Sequence, residues 1–275
     1  MLPAFRSLDR VTESGEPLPG VLDTLTQADV RFRRGELAQI AGPPGGGKST
    51  LALQLAVQMK VPQLYVLCDM GPHMSSIKVG SILTGRPNKE VGGWPKEQLR
   101  DLIARDASHL WLAHETGPTL SDLDELVQAV VEVHGCPPAA VWLDNLKDLS
   151  GGQGERHQRD QEAANILKQM AGRYETAVIA LAHTMVPRKA GYPQGMAELK
   201  GQVSEDAALI LTVAGDPTAN LFRFAAVKNR HGRPSPDASE YHELLFDAPS
   251  GLLKDKPLYT PSPHIWGRSS YEQDD

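Results

Sequence analysis

Residues 42–50 read Gly42-Pro43-Pro44-Gly45-Gly46-Gly47-Lys48-Ser49-Thr50, which sets glycines, one lysine and a hydroxyl at the spacing G-x-x-x-x-G-K-[ST]. Glycines let the backbone curl so that successive N–H groups point at an anion, and the adjacent ammonium neutralises the β and γ phosphates of a nucleotide. A hydroxyl directly after that lysine suits Mg²⁺, a hard cation that prefers oxygen. The chemistry expected of this segment is binding of ATP with Mg²⁺ across residues 42–50, with Lys48 on the phosphates and Ser49 on the metal.

Phosphate chemistry needs further groups. A carboxylate at the end of an apolar strand is expected to help hold Mg²⁺, and Ala140-Val141-Trp142-Leu143-Asp144 supplies Asp144; the bland alternative is a strand-terminal turn residue. A second carboxylate must orient the attacking water. Asp69, closing Leu64-Tyr65-Val66-Leu67-Cys68, is the first candidate and Glu115, after Leu110 to Ala113, is its rival; Asp69 can equally be read as a residue that merely precedes a helix. His183 and Thr184 end the run Ala177 to Ala182 and offer a polar pair able to sense the γ-phosphate, or a structural histidine. Lys228-Asn229-Arg230-His231-Gly232-Arg233 is the densest basic cluster. Lys228 and Arg230 there suit a transition-state role on a phosphate of a neighbouring subunit, with a solvated or DNA-contacting turn as the alternative.

These groups need a frame that brings strand ends together. Short, near-continuously apolar runs occur at Leu37 to Ala41, Leu64 to Cys68, Leu110 to Ala113, Val141 to Asp144, Val178 to His183, Ala208 to Val213 and Phe222 to Val227. Such runs are the mark of strands buried on both faces of a largely parallel sheet. Helical patterns lie between them, notably Leu51 to Met59, Leu120 to His134, with Ser121-Asp122-Leu123-Asp124 as its capping segment, and Gln161 to Tyr174. The β-α alternation predicts an α/β fold with a doubly wound, mostly parallel sheet and ligands at the carboxyl ends of its strands. One domain is expected over 21–254, with residues 12–34 and 240–254 adding strands at the sheet edges. An arm over 1–20 and a tail over 255–275 complete the organisation.

Composition narrows the class. A net charge of -6 excludes a protein that coats nucleic acid by bulk charge and leaves room only for a local basic groove. Cys68 and Cys136 lack metal-ligand spacing and read as buried, reduced thiols. The N-terminal residues lack a signal-peptide core, and no run of about 18 apolar residues occurs, so a soluble, cytoplasmic protein without a membrane partner is expected.

Taken in order, these segments resemble the RecA-type ATPases, specifically the motor domain of the bacterial replicative helicase (DnaB) family and its stand-alone phage relatives. The resemblance spans about residues 20–253. It is carried by Arg34-Gly35-Glu36-Leu37 leading into the phosphate loop, Val66-Leu67-Cys68-Asp69-Met70, Val141-Trp142-Leu143-Asp144-Asn145 and Leu181-Ala182-His183-Thr184. Glu198-Leu199-Lys200-Gly201, Glu205-Asp206-Ala207 and Val227-Lys228-Asn229-Arg230-His231-Gly232 continue it. The resemblance implies a homo-oligomer, a hexameric ring or a filament, with ATP at each junction and Lys228 and Arg230 reaching the neighbour's γ-phosphate. It also implies single-stranded DNA in a central channel, faced by loops at 150–160, with Arg156 and Arg159, and at 185–200, with Arg188, Lys189 and Lys200; each loop reads equally as a surface segment.

Three features depart from the family pattern. Asp69 stands where the family has Glu, which implies slower hydrolysis. Residues 1–20 are too short for the family's N-terminal collar domain, so a different mode of ring loading is expected. Tyr192 is the one aromatic residue in the channel loops, so base stacking contributes little.

Four outputs fit these residues. The first is an ATP-driven motor on single-stranded or forked DNA in replication or recombination, of phage origin. The second is a RecA-like recombination ATPase that anneals strands without unwinding. The third is a metal-dependent nuclease on branched DNA using Asp144, Asp148, His157, Asp160 and His183. The fourth is a regulatory, autophosphorylating ATPase of the KaiC type.

Overall fold

The computed structural model describes residues 14–150, 156–185, 189–199 and 205–257, and of residues 156–160 the backbone alone. Arg188 and Lys200 lie outside the described residues, as do the glycines at 151–152 and most of the arm and tail.

Among the described residues nine strands form one sheet: β1 (Leu37–Gly42), β2 (Gln63–Leu67), β3 (Leu110–His114), β4 (Ala140–Asp144), β5 (Ala177–His183), β6 (Leu209–Asp216), β7 (Leu221–Asn229), β8 (His242–Asp247) and β9 (Leu252–Lys254). Their order is β3-β2-β4-β5-β1-β6-β7-β8-β9. All pairings from β3 through to β6 are parallel, whereas β6 to β9 form an antiparallel meander. The parallel strands thus deliver their carboxyl ends to one rim, where β1, β2, β4 and β5 end in Gly42, Leu67, Asp144 and His183.

Alternation along each apolar run explains why both faces are covered. Ala38, Ile40, Tyr65, Leu67, Trp142, Ile179 and Leu181 join one core with Leu51 and Leu55 of α2 (Lys48–Gln58) and Val79 of α3 (Pro72–Thr84). Leu37, Leu64, Val66, Val141, Leu143, Val178 and Ala180 join the other, with Val127 of α6 (Leu120–His134) and Leu167 of α7 (Arg156–Tyr174). Successive side chains of a strand point to opposite faces, so an unbroken apolar run is what a two-sided helical cover requires.

Four local expectations are corrected. Of the segment 12–34, the described residues 14–34 add no strand to the sheet: they contain α1 (Asp23–Gln27) and a bridge between Pro17 and Arg33. Leu22, Leu25 and Phe32 instead fold inward, with the Phe32 ring edge-on to Trp142 at 5.7 Å. Helix α6 is capped by Thr119, whose hydroxyl accepts from Asp122 N–H while the Asp122 carboxylate accepts in return, so the cap lies two residues before Ser121. Arg156 and Arg159 stand on the first turn of a 19-residue helix and not in a loop. Cys136 is exposed and Cys68 half-buried; burial and nearby Asp148 push the Cys68 thiol up to about 12, which keeps it protonated.

The segment 240–254 does add edge strands, β8 and β9. The stretch expected to be a tail is held at its start, because the Asp255 carboxylate accepts from Asp23 N–H, Thr24 N–H and the Thr24 hydroxyl. Between β2 and β3, α3 packs with α4 (Asn88–Val91) and α5 (Lys96–Asp106) around Ile77, Val91 and Leu99.

Candidate active site

The phosphate loop leaves β1 at Gly42 and enters α2 at Lys48. Two close approaches require glycine there: a Cβ on Gly42 would lie 2.6 Å from the Val213 carbonyl, and one on Gly47, which has φ +86°, would lie 2.6 Å from the Phe222 ring. The loop is thereby pressed against β6 and β7, and Gly215 N–H donates to Gly46 C=O. At the head of α2 the first N–H groups have no intrahelical acceptor, so they and the helix dipole favour an anion.

A cavity of about 540 Å³ opens beside the loop, lined by Pro44, Gly45, Lys48, Ser49, Leu67, Asp69, Met70, Asp144, Asn145, Lys147 and His183. Parallel topology explains the assembly, since each of these residues follows or ends β1, β2, β4 or β5. Lys48 is buried, and its Nζ donates to the carbonyls of Gly42 and Pro43, both at 3.0 Å, with His183 Nδ1 at 3.4 Å. Asp144 is buried as well: the Tyr65 hydroxyl donates to its Oδ2 at 3.1 Å, and Ser49 lies close enough to help hold its charge. Burial raises the Asp144 carboxyl above the usual range, against the pull of Ser49, Tyr65 and Lys48. A buried carboxylate beside a hydroxyl, with an unusually costly negative charge, offers the oxygen ligands that Mg²⁺ prefers, and phosphate and water would complete such a shell. The residues present therefore fit the ion, and Ser49 and Asp144 would hold it. Bound there, Mg²⁺ would neutralise charge developing on the phosphates.

Asp69 lines the same cavity. Its Oδ2 accepts from Asn145 Nδ2 at 3.1 Å and lies 3.6 Å from Lys147 Nζ. Glu115 is not among the lining residues: it follows the edge strand β3, one strand further out than β2. The sequence reading assigned no role to Asn145 or Lys147, although their places one and three residues after Asp144 were a usable signal.

Lys228 and Arg230 stand at the opposite rim. Lys228 is the penultimate residue of β7 and Arg230 directly follows that strand; Asn229 between them pairs with Leu209 at the start of β6, and Arg230 Nη1 lies 3.6 Å from Glu36, the residue before β1. Lys228 Nζ donates to the Glu205 carbonyl at 2.9 Å. Six residues of β1 separate that rim from the phosphate loop, about 20 Å at the rise of a strand. The structure therefore does not bring Lys228 and Arg230 to the cavity of their own chain.

Among the candidate channel residues, Lys189 Nζ sits 3.5 Å from the centroid of the Tyr192 ring, which also carries the Arg223 guanidinium at 4.3 Å and meets Tyr241 edge-on. The chain after His183 is pinned by the Thr184 hydroxyl donating to Gln194 and by Gln194 Nε2 donating to Met185 C=O at 3.1 Å. Among the described residues no group of three or more His, Cys, Asp or Glu is placed to hold a metal, and no helix is long and apolar enough to cross a membrane. The nuclease candidates His157 and Asp160 fall where side chains are not described.

The Lys48 ammonium carries a pH prediction. Burial lowers its pKa from the ordinary value of 10.5 to about 8, with the Asp144 charge opposing that fall. Phosphate binding favours the charged form, so above about pH 8 the free protein must take up a proton to bind nucleotide. Affinity for a fluorescent ADP analogue is expected to be flat with respect to this group below pH 7 and to fall as pH rises past 8, by up to about tenfold per pH unit. Lys48→Met should remove that slope; a wild-type profile flat from pH 7 to 9.5 would show that Lys48 is charged throughout.

Comparison with known proteins agrees with this fold. A family model described as an AAA domain matches residues 21–189. The Gene 65 protein of Mycobacterium phage L5 is 26% identical over 243 residues, covering 85% of this chain and 91% of that protein. The lipoprotein-releasing system ATP-binding protein LolD 1 of Rhodospirillum rubrum is 27% identical over 157 residues, 56% of this chain and 61% of that one. Among solved structures, a DnaB-like replicative helicase, studied with its interactions with primase, superposes with a TM-score of 0.76 at 17% identity; the match covers 92% of this chain and 66% of the helicase chain. A second solved chain, described as an ATPase domain, gives a TM-score of 0.76 at 16% identity, with 92% of this chain and 96% of that domain covered. The family match takes in more than half of the chain and the fold match nearly all of it: the protein belongs to the AAA-domain family of P-loop ATPases and has the RecA-like fold of DnaB-like helicase ATPase domains.

Proposed function

We propose that the protein is an ATP-hydrolysing, Mg²⁺-dependent motor that works as a ring, most simply a hexamer, on single-stranded or forked DNA in replication or recombination. In this reading it is phage-encoded and acts in the bacterial cytoplasm, with residues 21–254 as the motor domain between an N-terminal arm and a C-terminal tail. The observation that carries the proposal is the separation of the two halves of the site. Lys48, Ser49, Asp69, Asp144 and His183 surround one cavity, while Lys228 and Arg230 project at the far rim of the sheet. Copies packed head to tail would set one subunit's Lys228 and Arg230 against the next subunit's phosphates, and such a heterologous contact closes into a ring or extends into a filament.

Each residue then has a task. The loop N–H groups and Lys48 bind the phosphates. Asp69, steadied by Asn145 and Lys147, orients the attacking water, and its short side chain makes hydrolysis slow. His183 contacts the γ-phosphate and, through Thr184 and Gln194, passes its loss to the segment 185–199. Arg156, Arg159, Arg188, Lys189 and Lys200 supply cations toward the DNA backbone, where repetition around a ring multiplies a modest charge per subunit.

The test is the ATPase rate with and without single-stranded DNA, alongside unwinding of a forked duplex. A severalfold stimulation with ATP-dependent unwinding is expected. No response to single strands would remove the motor reading, and annealing without unwinding would replace it with a recombination ATPase. Cleavage of branched DNA by Mg²⁺ or Mn²⁺ without nucleotide would mark a nuclease.

A further inference from the structure

Beneath the cavity, three buried hydrogen bonds and one ring–ring contact lead from Asp144 to the flank of the phosphate-loop helix. Tyr65 is fully buried, and its hydroxyl donates to Asp144 Oδ2 at 3.1 Å. Its ring lies parallel to that of Trp142, with centroids 6.0 Å apart and planes at 12°. The Trp142 indole N–H donates to Gln63 Oε1 at 2.8 Å, and Gln63 Nε2 donates to the carbonyl of Ala56, on α2, at 2.7 Å. Strand register makes the chain possible. Tyr65 pairs with Trp142 and Leu67 with Asp144, so Tyr65 and Asp144 are diagonal neighbours on one face, a span that an aromatic side chain bridges.

We propose that Tyr65 is a positioning residue for the metal-binding carboxylate. One oxygen of Asp144 is tied from the buried side by the Tyr65 hydroxyl, which fixes the rotamer that meets Ser49. Through Trp142 and Gln63 the same chain is fastened to α2, the helix whose first turn carries Ser49. The two protein oxygens proposed for the Mg²⁺ site thus stand at a separation set by a buried network and not by loops. Support of this kind around a metal ligand typically alters metal affinity by about 10- to 100-fold when removed. The inference rests on the reading of Asp144 as a metal ligand.

The experiment is Mn²⁺ titration, followed by electron paramagnetic resonance, of the full-length protein saturated with ADP. Tyr65→Phe keeps the ring and its packing and deletes only the donor. We expect Mn²⁺ affinity to fall about tenfold, with ADP affinity measured in EDTA unchanged. Mn²⁺ affinity within twofold of wild type would overturn the proposal. Asp144→Asn separates the two readings: if it too leaves Mn²⁺ affinity unchanged, the assignment of Asp144 fails, whereas a loss with Asp144→Asn alone defeats only Tyr65. The double variant guards against a general packing effect. If Tyr65 acts through Asp144, the double variant binds Mn²⁺ no more weakly than Asp144→Asn; a further tenfold loss would mean that Tyr65 serves the fold at large.

Discussion

Lys48→Ala is expected to lower nucleotide hydrolysis by about 10³-fold or more, which corresponds to roughly 4 kcal/mol of lost transition-state stabilisation. Lys48 is the one ammonium among the cavity-lining residues that stands on the first turn of α2, where the loop N–H groups converge. Charge accumulates on the phosphoryl oxygens as the bond to the leaving group breaks, and no neighbouring side chain replaces a cation held at that point. Lys147, the other lysine at the cavity, lies 3.6 Å from Asp69 and 3.7 Å from Asp148, so its charge is committed to carboxylates.

The same substitution should change stability far less. Removing Lys48 takes one donor from the Gly42 and Pro43 carbonyls, which still accept from Thr184 N–H and Gly46 N–H, so the loss is about 1 kcal/mol for each hydrogen bond. It also relieves the burial of a charge whose cost shows in the lowered Lys48 pKa. These effects oppose each other. An ATPase assay paired with thermal melting checks the division: activity within tenfold of wild type would contradict the role, and a collapsed melting transition would mean that the lysine serves the fold first.

How much of this was legible before the structure depends on the kind of signal each element carries. The seven apolar runs located their strands to within one to three residues because burial on two faces demands continuous apolar sequence. Errors sit at strand ends, as in Ala214-Gly215-Asp216 and Lys228-Asn229, where pairing in the antiparallel meander extends a strand into polar residues. Helix α5 gave little signal, since Leu99 is its one buried residue. Residues 12–34 were expected to add an edge strand, whereas Val30 and Phe32 join the core shared with α2 and Trp142.

The candidate site divides in the same way. The phosphate loop is a local motif and was legible whole. Asp69, Asp144 and His183 line one cavity because each ends or directly follows an apolar run, and a parallel sheet sends such ends to one rim. Tyr65 was invisible: in sequence its phenol is one more letter in a buried strand, and only the register with Trp142 and Asp144 shows where its hydroxyl goes. The placing of Lys228 and Arg230 at the far rim also required β7 to run antiparallel to β6, which apolar patterning does not reveal.

Arg230→Ala is expected to lower hydrolysis by about 10³- to 10⁵-fold in the assembled protein while leaving nucleotide affinity and folding nearly intact. Within its own chain Arg230 makes a half-exposed ion pair with Glu36 at 3.6 Å, and such pairs are worth at most about 1 kcal/mol. A loss of three orders of magnitude or more is equivalent to about 4 kcal/mol, so it has to come from contacts made outside the chain. Mixing variants tests this directly. Lys48→Ala and Arg230→Ala subunits are each inactive alone, yet a junction that takes its phosphate loop from the second and its arginine from the first has both halves. Random equimolar assembly makes about one junction in four of that kind, and activity should return toward that fraction if junctions fire independently. Because Arg230 lies about 20 Å from its own phosphate loop, a cis role predicts no recovery at any mixing ratio. Recovery that scales with the product of the two variants' fractions would place the arginine at its neighbour's phosphate.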